Sequence, residues 1–191
     1  MKKPKIILVG GPNGCGKTTF ILEYLKLEPL CYLSADAIAY ELDAKNPTAQ
    51  AIQASRLFIE RLDDHINQHT DLIIESTLSG LSLARHLKLA QDQAYSVELT
   101  YLFLDTPALC NHRISQRVLN GGHFVPPKDV ERRFYRSYTH FWEFYKHQAN
   151  EWSLYYNPEE QYQPVATGVG QQYEVISNSL FEKFKAIGAL T

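Results

Sequence analysis

The chain has 191 residues, of which 45% are hydrophobic and 21% are charged, a composition typical of one globular domain with a substantial core. Its formal net charge of −2 argues against a broad basic surface of the kind that binds nucleic acid. Three scattered cysteines exclude a disulfide framework or a zinc site, and no apolar run is long enough for a signal peptide or a membrane span, so we expect a single cytoplasmic domain over residues 1–191.

Short apolar runs alternate with segments of helical periodicity along the chain. Strands are predicted at 5–10, 31–34, 71–76 and 97–105, with weaker strands at 152–157, 163–168 and 173–177. Helices are predicted over 17–27, 47–69, 80–94, 107–120 and 128–150, and from about residue 178 onward. This alternation predicts an α/β fold of three layers, with a central, mostly parallel sheet and helices on both of its faces.

The segment GPNGCGKT at residues 11–18 follows the first predicted strand and opens the first predicted helix. It matches the P-loop pattern G-x-x-x-x-G-K-T, in which glycines bring the backbone close to phosphates and a helix N-terminus attracts anions. Lys17 is predicted to reach the outer phosphates of ATP or GTP, and Thr18 to bind Mg²⁺. The residues assigned to nucleotide binding are Gly11, Pro12, Asn13, Gly14, Cys15, Gly16, Lys17, Thr18 and Thr19. Cys15 is either a small packing residue or a thiol whose pKa is lowered by the helix N-terminus.

A P-loop alone is compatible with a transporter ATPase, a switch GTPase or a small-molecule kinase. The transporter class is disfavoured because Asp105, at the end of the fourth strand, is followed by Thr106 and Pro107 and not by glutamate. The GTPase class is disfavoured because the chain has no N-K-x-D sequence. The sequence therefore favours a kinase.

Two groups of arginines flank a glycine-containing loop at residues 121–127. The arginines are Arg113, Arg117, Arg132, Arg133 and Arg136. Arg113 and Arg117 are four residues apart, so they share one face of a helix, where they either neutralise a transferring phosphate or remain in solvent. The Gly121–Gly122 pair could act as a hinge that lets a lid over residues 113–136 close and exclude water.

Two carboxylates follow predicted strands on the side of the sheet where ligands bind in parallel α/β folds. Asp36, in the turn SADAIA, is a candidate base that accepts a proton from a substrate hydroxyl, or else the N-cap of a helix at 37–43. Glu75, in IIESTLSG, is a candidate ligand for Mg²⁺ or for a substrate hydroxyl, or else a solvated strand end.

Four segments together resemble the zeta toxin family, and in particular its short bacterial branch that is labelled predicted ABC-type ATPase. They are GPNGCGKTTF, LSADAIA, IIESTLSG and RVLNGGHFVPPKDVERRFYRS, of which the last is the most specific. The resemblance covers about residues 5–157 and implies a P-loop kinase fold. Characterised zeta toxins use ATP to phosphorylate a hydroxyl of UDP-N-acetylglucosamine and are held inactive by an antitoxin protein.

This resemblance implies the roles of individual residues in a kinase. It implies Lys17 and Thr18 for ATP and Mg²⁺, Asp36 as the base, and Glu75 for substrate or metal. The candidates for contact with the γ-phosphate are Arg117, Arg132 and Arg133, and further candidates for substrate binding are Ser76, Thr77 and His123. The short branch has an acid where this chain has Tyr156, so the function of that acid is in question here.

The expected function is therefore phosphorylation of a hydroxyl on a small molecule, with a UDP-N-acetyl sugar as one acceptor and an antitoxin as one protein partner. The alternatives are a nucleoside or chloramphenicol-type antibiotic kinase of the same fold, and an ATP-binding regulatory module that binds another protein. Neither nucleic acid nor membrane is expected as a partner.

Overall fold

The computed structural model describes residues 3–122, 124–159 and 161–188. The strands are β1 (Lys5–Gly10), β2 (Cys31–Ser34), β3 (Leu72–Ser76), β4 (Ser96–Phe103), β5 (Glu151–Tyr156), β6 (Gln163–Val169) and β7 (Gln172–Val175). The helices are α1 (Lys17–Leu27), α2 (Ala35–Leu42), α3 (Ala51–Asn67), α4 (Ser82–Asp92), α5 (Pro107–Leu119), α6 (Pro127–His140), α7 (Lys146–Gln148) and α8 (Asn178–Gly188). A 3₁₀ turn (Pro47–Gln50) precedes α3, and a π-helical turn (Phe141–Tyr145) joins α6 to α7.

The strands form one sheet in the order β2-β3-β1-β4-β5-β6-β7. The first five are parallel, and β6 and β7 pair antiparallel. The predicted α/β fold with a mostly parallel sheet is confirmed, and it is the P-loop NTPase/kinase fold. The connection from β5 to β6 is too short for the helical crossover that a parallel pair requires, so the chain turns back on itself there.

The core lies on both faces of the parallel strands. Residues 6–10 of β1 are all buried, and because successive side chains of a strand point to opposite faces, both faces must be covered. The aromatic stripe that follows the loop at 121–127 packs in this core as a helical period predicts, since Phe134, Tyr138 and Phe141 are fully buried. The single helix predicted over 128–150 is instead divided by the π-helical turn.

The parallel register brings the carboxyl ends of β1, β2 and β3 to one edge of the sheet. Gly10 of β1 pairs with Ser76 of β3, and Ser34 of β2 pairs with Glu75. The P-loop, the start of α2 and the segment after β3 therefore leave the sheet side by side, which is where ligands bind in folds of this type.

Across residues 3–122, 124–159 and 161–188, no helix has both the length and the apolar character that crossing a membrane requires.

Candidate active site

The P-loop wraps tightly between β1 and α1. Gly14 and Gly16 have φ angles of +78° and +98°, in the left-handed region that favours glycine. A Cβ on Gly14 would lie 2.8 Å from the backbone oxygen of Cys110, so the loop also lies directly against α5. The N-terminus of α1 has no side-chain cap, and its backbone amides are available to an anion such as a triphosphate.

We expect Gly14→Ala to destabilise the protein by about 1–3 kcal/mol more than Gly170→Ala, because it adds overpacking to the strain of a positive φ. Gly170 is the matched control, since its φ is +59° but nothing lies within 4 Å of an added Cβ. Equilibrium denaturation of both variants measures the difference. Equal losses of stability would show that the contact with Cys110 is of no energetic importance.

Lys17 is the first residue of α1 and is almost completely buried, with 5% of its side chain exposed. Its ammonium group donates to the carbonyl of Pro12 at 3.0 Å and lies 3.9 Å from Glu75 Oε1. The lysine is thus folded back over the loop, with its charge held beside the cradle of backbone amides. A buried ammonium at this point can neutralise the charge of a bound polyphosphate.

Glu75 lies at the centre of a small hydrogen-bonded group. The hydroxyl of Thr18 donates to both of its carboxylate oxygens, at 3.1 and 2.9 Å, and the hydroxyl of Tyr32 donates to Oε2 at 2.6 Å. Burial, and then the negative charge of Glu75, raises the pKa of Tyr32 well above its ordinary value, so Tyr32 remains a donor. The structure thus brings together Thr18 and Glu75, the two residues predicted to hold Mg²⁺, and their oxygen atoms are ligands of the type that Mg²⁺ prefers.

Asp36 lies in the first turn of α2, and its side chain is exposed. The alternative prediction that Asp36 is the helix N-cap is wrong, because Ser34 occupies that position and its hydroxyl accepts from the amide of Ala37 at 3.5 Å. Asp36 is therefore not needed to cap the helix. It lines a large cavity.

This cavity, which we call the arginine-lined cavity, has a volume of about 680 Å³. Lys17 and Glu75 line it, and so do the predicted substrate residues Asp36, Ser76 and Thr77. The lining also includes three arginines of α6, Arg132, Arg133 and Arg136. Apolar and hydroxyl side chains complete the wall, including Thr48, Ser55, Phe58, Ile59, Ser79, Leu83, Phe124 and Val125. His123, also predicted to bind substrate, lies outside the described residues.

The predicted arginines occupy two different places. Arg132 pairs with Asp129 at 2.9 Å, and this hydrogen bond lowers the pKa of Asp129. Arg117, in the last turn of α5, packs instead beneath the turn at residues 121–122, where the amide of Gly122 donates to its carbonyl at 2.9 Å. Among the described residues that form the cavity wall, Arg132 and Arg133 are present and Arg117 is not.

The remaining P-loop residues have distinct surroundings. Thr19 is exposed on α1, whereas Asn13 and Cys15 are buried. Burial raises the pKa of the Cys15 thiol, contrary to the lowering that its place beside a helix N-terminus suggested, so Cys15 acts as a small packing residue. Burial likewise raises the pKa of Cys110.

Residues after β5, not predicted from the sequence to belong to the site, contact the P-loop. Asn157 is completely buried, and its amide nitrogen donates to the carbonyl of Cys15 at 2.8 Å. Tyr162 donates to the carbonyl of Gly16 at 3.3 Å, and Arg113 donates to the carbonyl of Pro158. This segment therefore fixes the P-loop from the side. No local pattern in the sequence marks Asn157, because its partner is 142 residues away.

Tyr156, at the end of β5, has a structural contact. Its hydroxyl donates to Asp105, and Lys183 of α8 pairs with the same carboxylate at 2.8 Å. Asp105 thus joins β5 and α8 to the end of β4. The residue after Asp105 is Thr106, which caps α5, so Asp105 is not followed by a catalytic glutamate.

Comparison with solved structures shows the same fold in proteins of low sequence identity. The complex of AvrRxo1-ORF1 with ORF2 crystallised with ATP matches with a TM-score of 0.72 and 18% identity, over 95% of this chain and 63% of that chain. The PezAT chromosomal toxin–antitoxin system of Streptococcus pneumoniae matches with a TM-score of 0.63 and 17% identity, over 99% of this chain and 86% of that chain. The protein thus spans less than two thirds of the AvrRxo1 chain.

Comparison of sequences identifies the family. An uncharacterized protein of Haemophilus influenzae is 32% identical over 130 residues, which are 68% of this chain and 92% of that protein. The family model described as AAA domain matches residues 6–139, which include the P-loop, Asp36, Glu75 and the arginines of α6. The chain belongs to this AAA domain family.

Proposed function

We propose that this protein is a kinase that uses ATP and Mg²⁺ to phosphorylate a hydroxyl group of a small molecule, with a UDP-N-acetyl sugar as the first candidate acceptor. One observation carries the proposal. A single cavity joins Lys17 and Glu75 beside the P-loop to Asp36 and to the arginines of α6. A phosphate donor and an acceptor that share this cavity would meet beside a carboxylate and several guanidinium groups.

The P-loop end fits a magnesium–nucleotide complex. The amides around Gly14 and Gly16 form the phosphate cradle, Lys17 supplies a positive charge, and Thr18 with Glu75 supplies oxygen ligands. When bound, Mg²⁺ would neutralise charge on the phosphates of ATP. The AvrRxo1 complex, which shares the fold, was crystallised with ATP.

Other residues that line the cavity supply the groups that transfer requires. The oxygen of the acceptor hydroxyl forms a bond to the γ-phosphorus while Asp36 takes the hydroxyl proton. At the same time the bond from that phosphorus to the leaving oxygen of ADP breaks. Arg132 and Arg133 stabilise the charge on the transferring group. Arg117 belongs to the segment 113–136, which we assign as the lid that excludes water, with Gly121 at φ +81° in its hinge.

The composition of the cavity favours an acceptor that already has negative charge. Three arginines line it, and one γ-phosphate does not require all of them. A volume of about 680 Å³ also lies well within the range for a ligand of nucleotide-sugar size. A diphosphate-linked sugar uses both properties, whereas a nucleoside or chloramphenicol offers the arginines no anionic group.

A protein partner is a further part of the proposal. The PezAT structure is described as a toxin–antitoxin system, and AvrRxo1-ORF1 was solved in complex with ORF2. By analogy, an inhibitory antitoxin protein is the partner we propose here, and native copurification from the source cell tests it.

A screen with γ-labelled ATP tests the proposed reaction. We expect label to move to UDP-N-acetyl sugars, and the transfer to require Mg²⁺ and an intact Asp36. Transfer to nucleosides, aminoglycosides or chloramphenicol alone would support the alternative kinase. Tight binding of ATP with no transfer in any arm would instead support an ATP-binding regulatory module.

A further inference from the structure

Tyr32 contacts a residue of the proposed magnesium–nucleotide site from outside the P-loop. It lies on β2, two residues before Ser34, which pairs with Glu75 in the parallel register. Side chains two residues apart on a strand share a face, so Tyr32 and Glu75 point to the same side of the sheet. The distance from the hydroxyl of Tyr32 to Glu75 Oε2 is 2.6 Å, that of a strong hydrogen bond to a carboxylate.

We infer that Tyr32 is a positioning residue, which holds the Glu75 carboxylate in the orientation that binds Mg²⁺. This inference rests on the proposed role of Glu75 in the magnesium–nucleotide site. The terminal torsion of a glutamate has a broad and shallow energy profile, so the carboxylate needs hydrogen bonds to fix its plane. Tyr32 contacts only Oε2, whereas Thr18 contacts both oxygens and Oε1 lies 3.9 Å from the ammonium of Lys17.

The other two groups near Glu75 cannot provide the same support once a nucleotide binds. Lys17 and Thr18 both belong to α1 and to the P-loop, and they are the groups proposed to turn to the phosphates and the metal. Tyr32 belongs to the sheet and its ring packs against the core, so its contact with Glu75 does not depend on the state of the P-loop. A phenylalanine would fill the same space, and only the hydroxyl would be lost.

The test is the Mg²⁺ dependence of ATP affinity, measured by calorimetry in the full chain with no acceptor present. We define the Mg²⁺ midpoint as the Mg²⁺ concentration at which half of the metal-dependent gain in ATP affinity is reached. We expect Tyr32→Phe to raise this midpoint about five- to tenfold. Tyr24→Phe is the matched control, since the hydroxyl of Tyr24 also donates to a glutamate, Glu28, at 2.9 Å, but on the far end of α1. We expect less than about a twofold change in that variant.

A double-mutant cycle separates positioning from a general structural effect. If Tyr32 acts through Glu75, adding Tyr32→Phe to Glu75→Gln will change the Mg²⁺ midpoint by less than about twofold. The inference is overturned if the midpoint of Tyr32→Phe equals that of Tyr24→Phe, if the full effect persists in the Glu75→Gln background, or if Tyr32→Phe fails to fold. Because the measurement needs no acceptor, failure to find a phosphorylated product leaves its outcome unchanged.

Discussion

Asp36→Asn is expected to lower the rate of phosphate transfer about 10²- to 10⁴-fold, while the affinity for ATP changes less than about twofold. Asparagine has the shape of aspartate and still accepts hydrogen bonds, but it cannot take a proton from the acceptor hydroxyl. Asp36 is exposed on the cavity wall and is not the cap of α2, so the fold should be retained. Transfer of γ-label at saturating ATP gives the rate, and calorimetry gives the affinity.

Glu41→Gln is the control for that experiment. Glu41 lies on the same helix, is exposed, and pairs with Arg61 at 2.9 Å, so its substitution also removes one negative charge from α2. We expect this variant to transfer phosphate at the parental rate. A comparable loss of transfer in both variants, or an equal loss of ATP binding in Asp36→Asn, would contradict the role of Asp36 as base.

Lys17→Ala is expected to weaken ATP binding at least about 30-fold, which corresponds to about 2 kcal/mol. The ammonium of Lys17 is buried beside the phosphate cradle, where water screens its charge little. Its removal leaves Glu75 with the hydroxyls of Tyr32 and Thr18, so the carboxylate keeps partners and the fold should be retained. Isothermal calorimetry with ATP and Mg²⁺ measures the loss.

Lys26→Ala is the matched control, because Lys26 lies on the same helix, in its last turn. Its side chain is 66% exposed and pairs with Glu23 at the surface, an interaction of little energetic value. We expect its ATP affinity to match that of the parent chain. If Lys17→Ala bound ATP as tightly as Lys26→Ala, the proposed nucleotide site would be wrong.

The local features of the fold were accessible from sequence. The strand Lys5–Gly10 and the helix Lys17–Leu27 have the predicted bounds, because an apolar run, a glycine-rich turn and a helical period are each encoded by neighbouring residues. The break in the helix predicted over 128–150 was not accessible. The aromatic residues Phe141–Tyr145 keep a pattern compatible with a continuous helix, and packing against other elements decides where the π-helical turn occurs.

The sequence by itself determined that the protein has a P-loop, that strands and helices alternate around a parallel sheet, and that Asp36 and Glu75 follow strands at the edge where ligands bind. Only the tertiary structure decided that Tyr32 contacts Glu75, that Asn157 fixes the P-loop, and that Arg132 and Arg133 line the cavity while Arg117 packs beneath a turn. The physical reason is separation along the chain. A motif depends on the spacing of adjacent residues, whereas these contacts join residues 43 to 142 positions apart or depend on how α5 and α6 lie against the sheet.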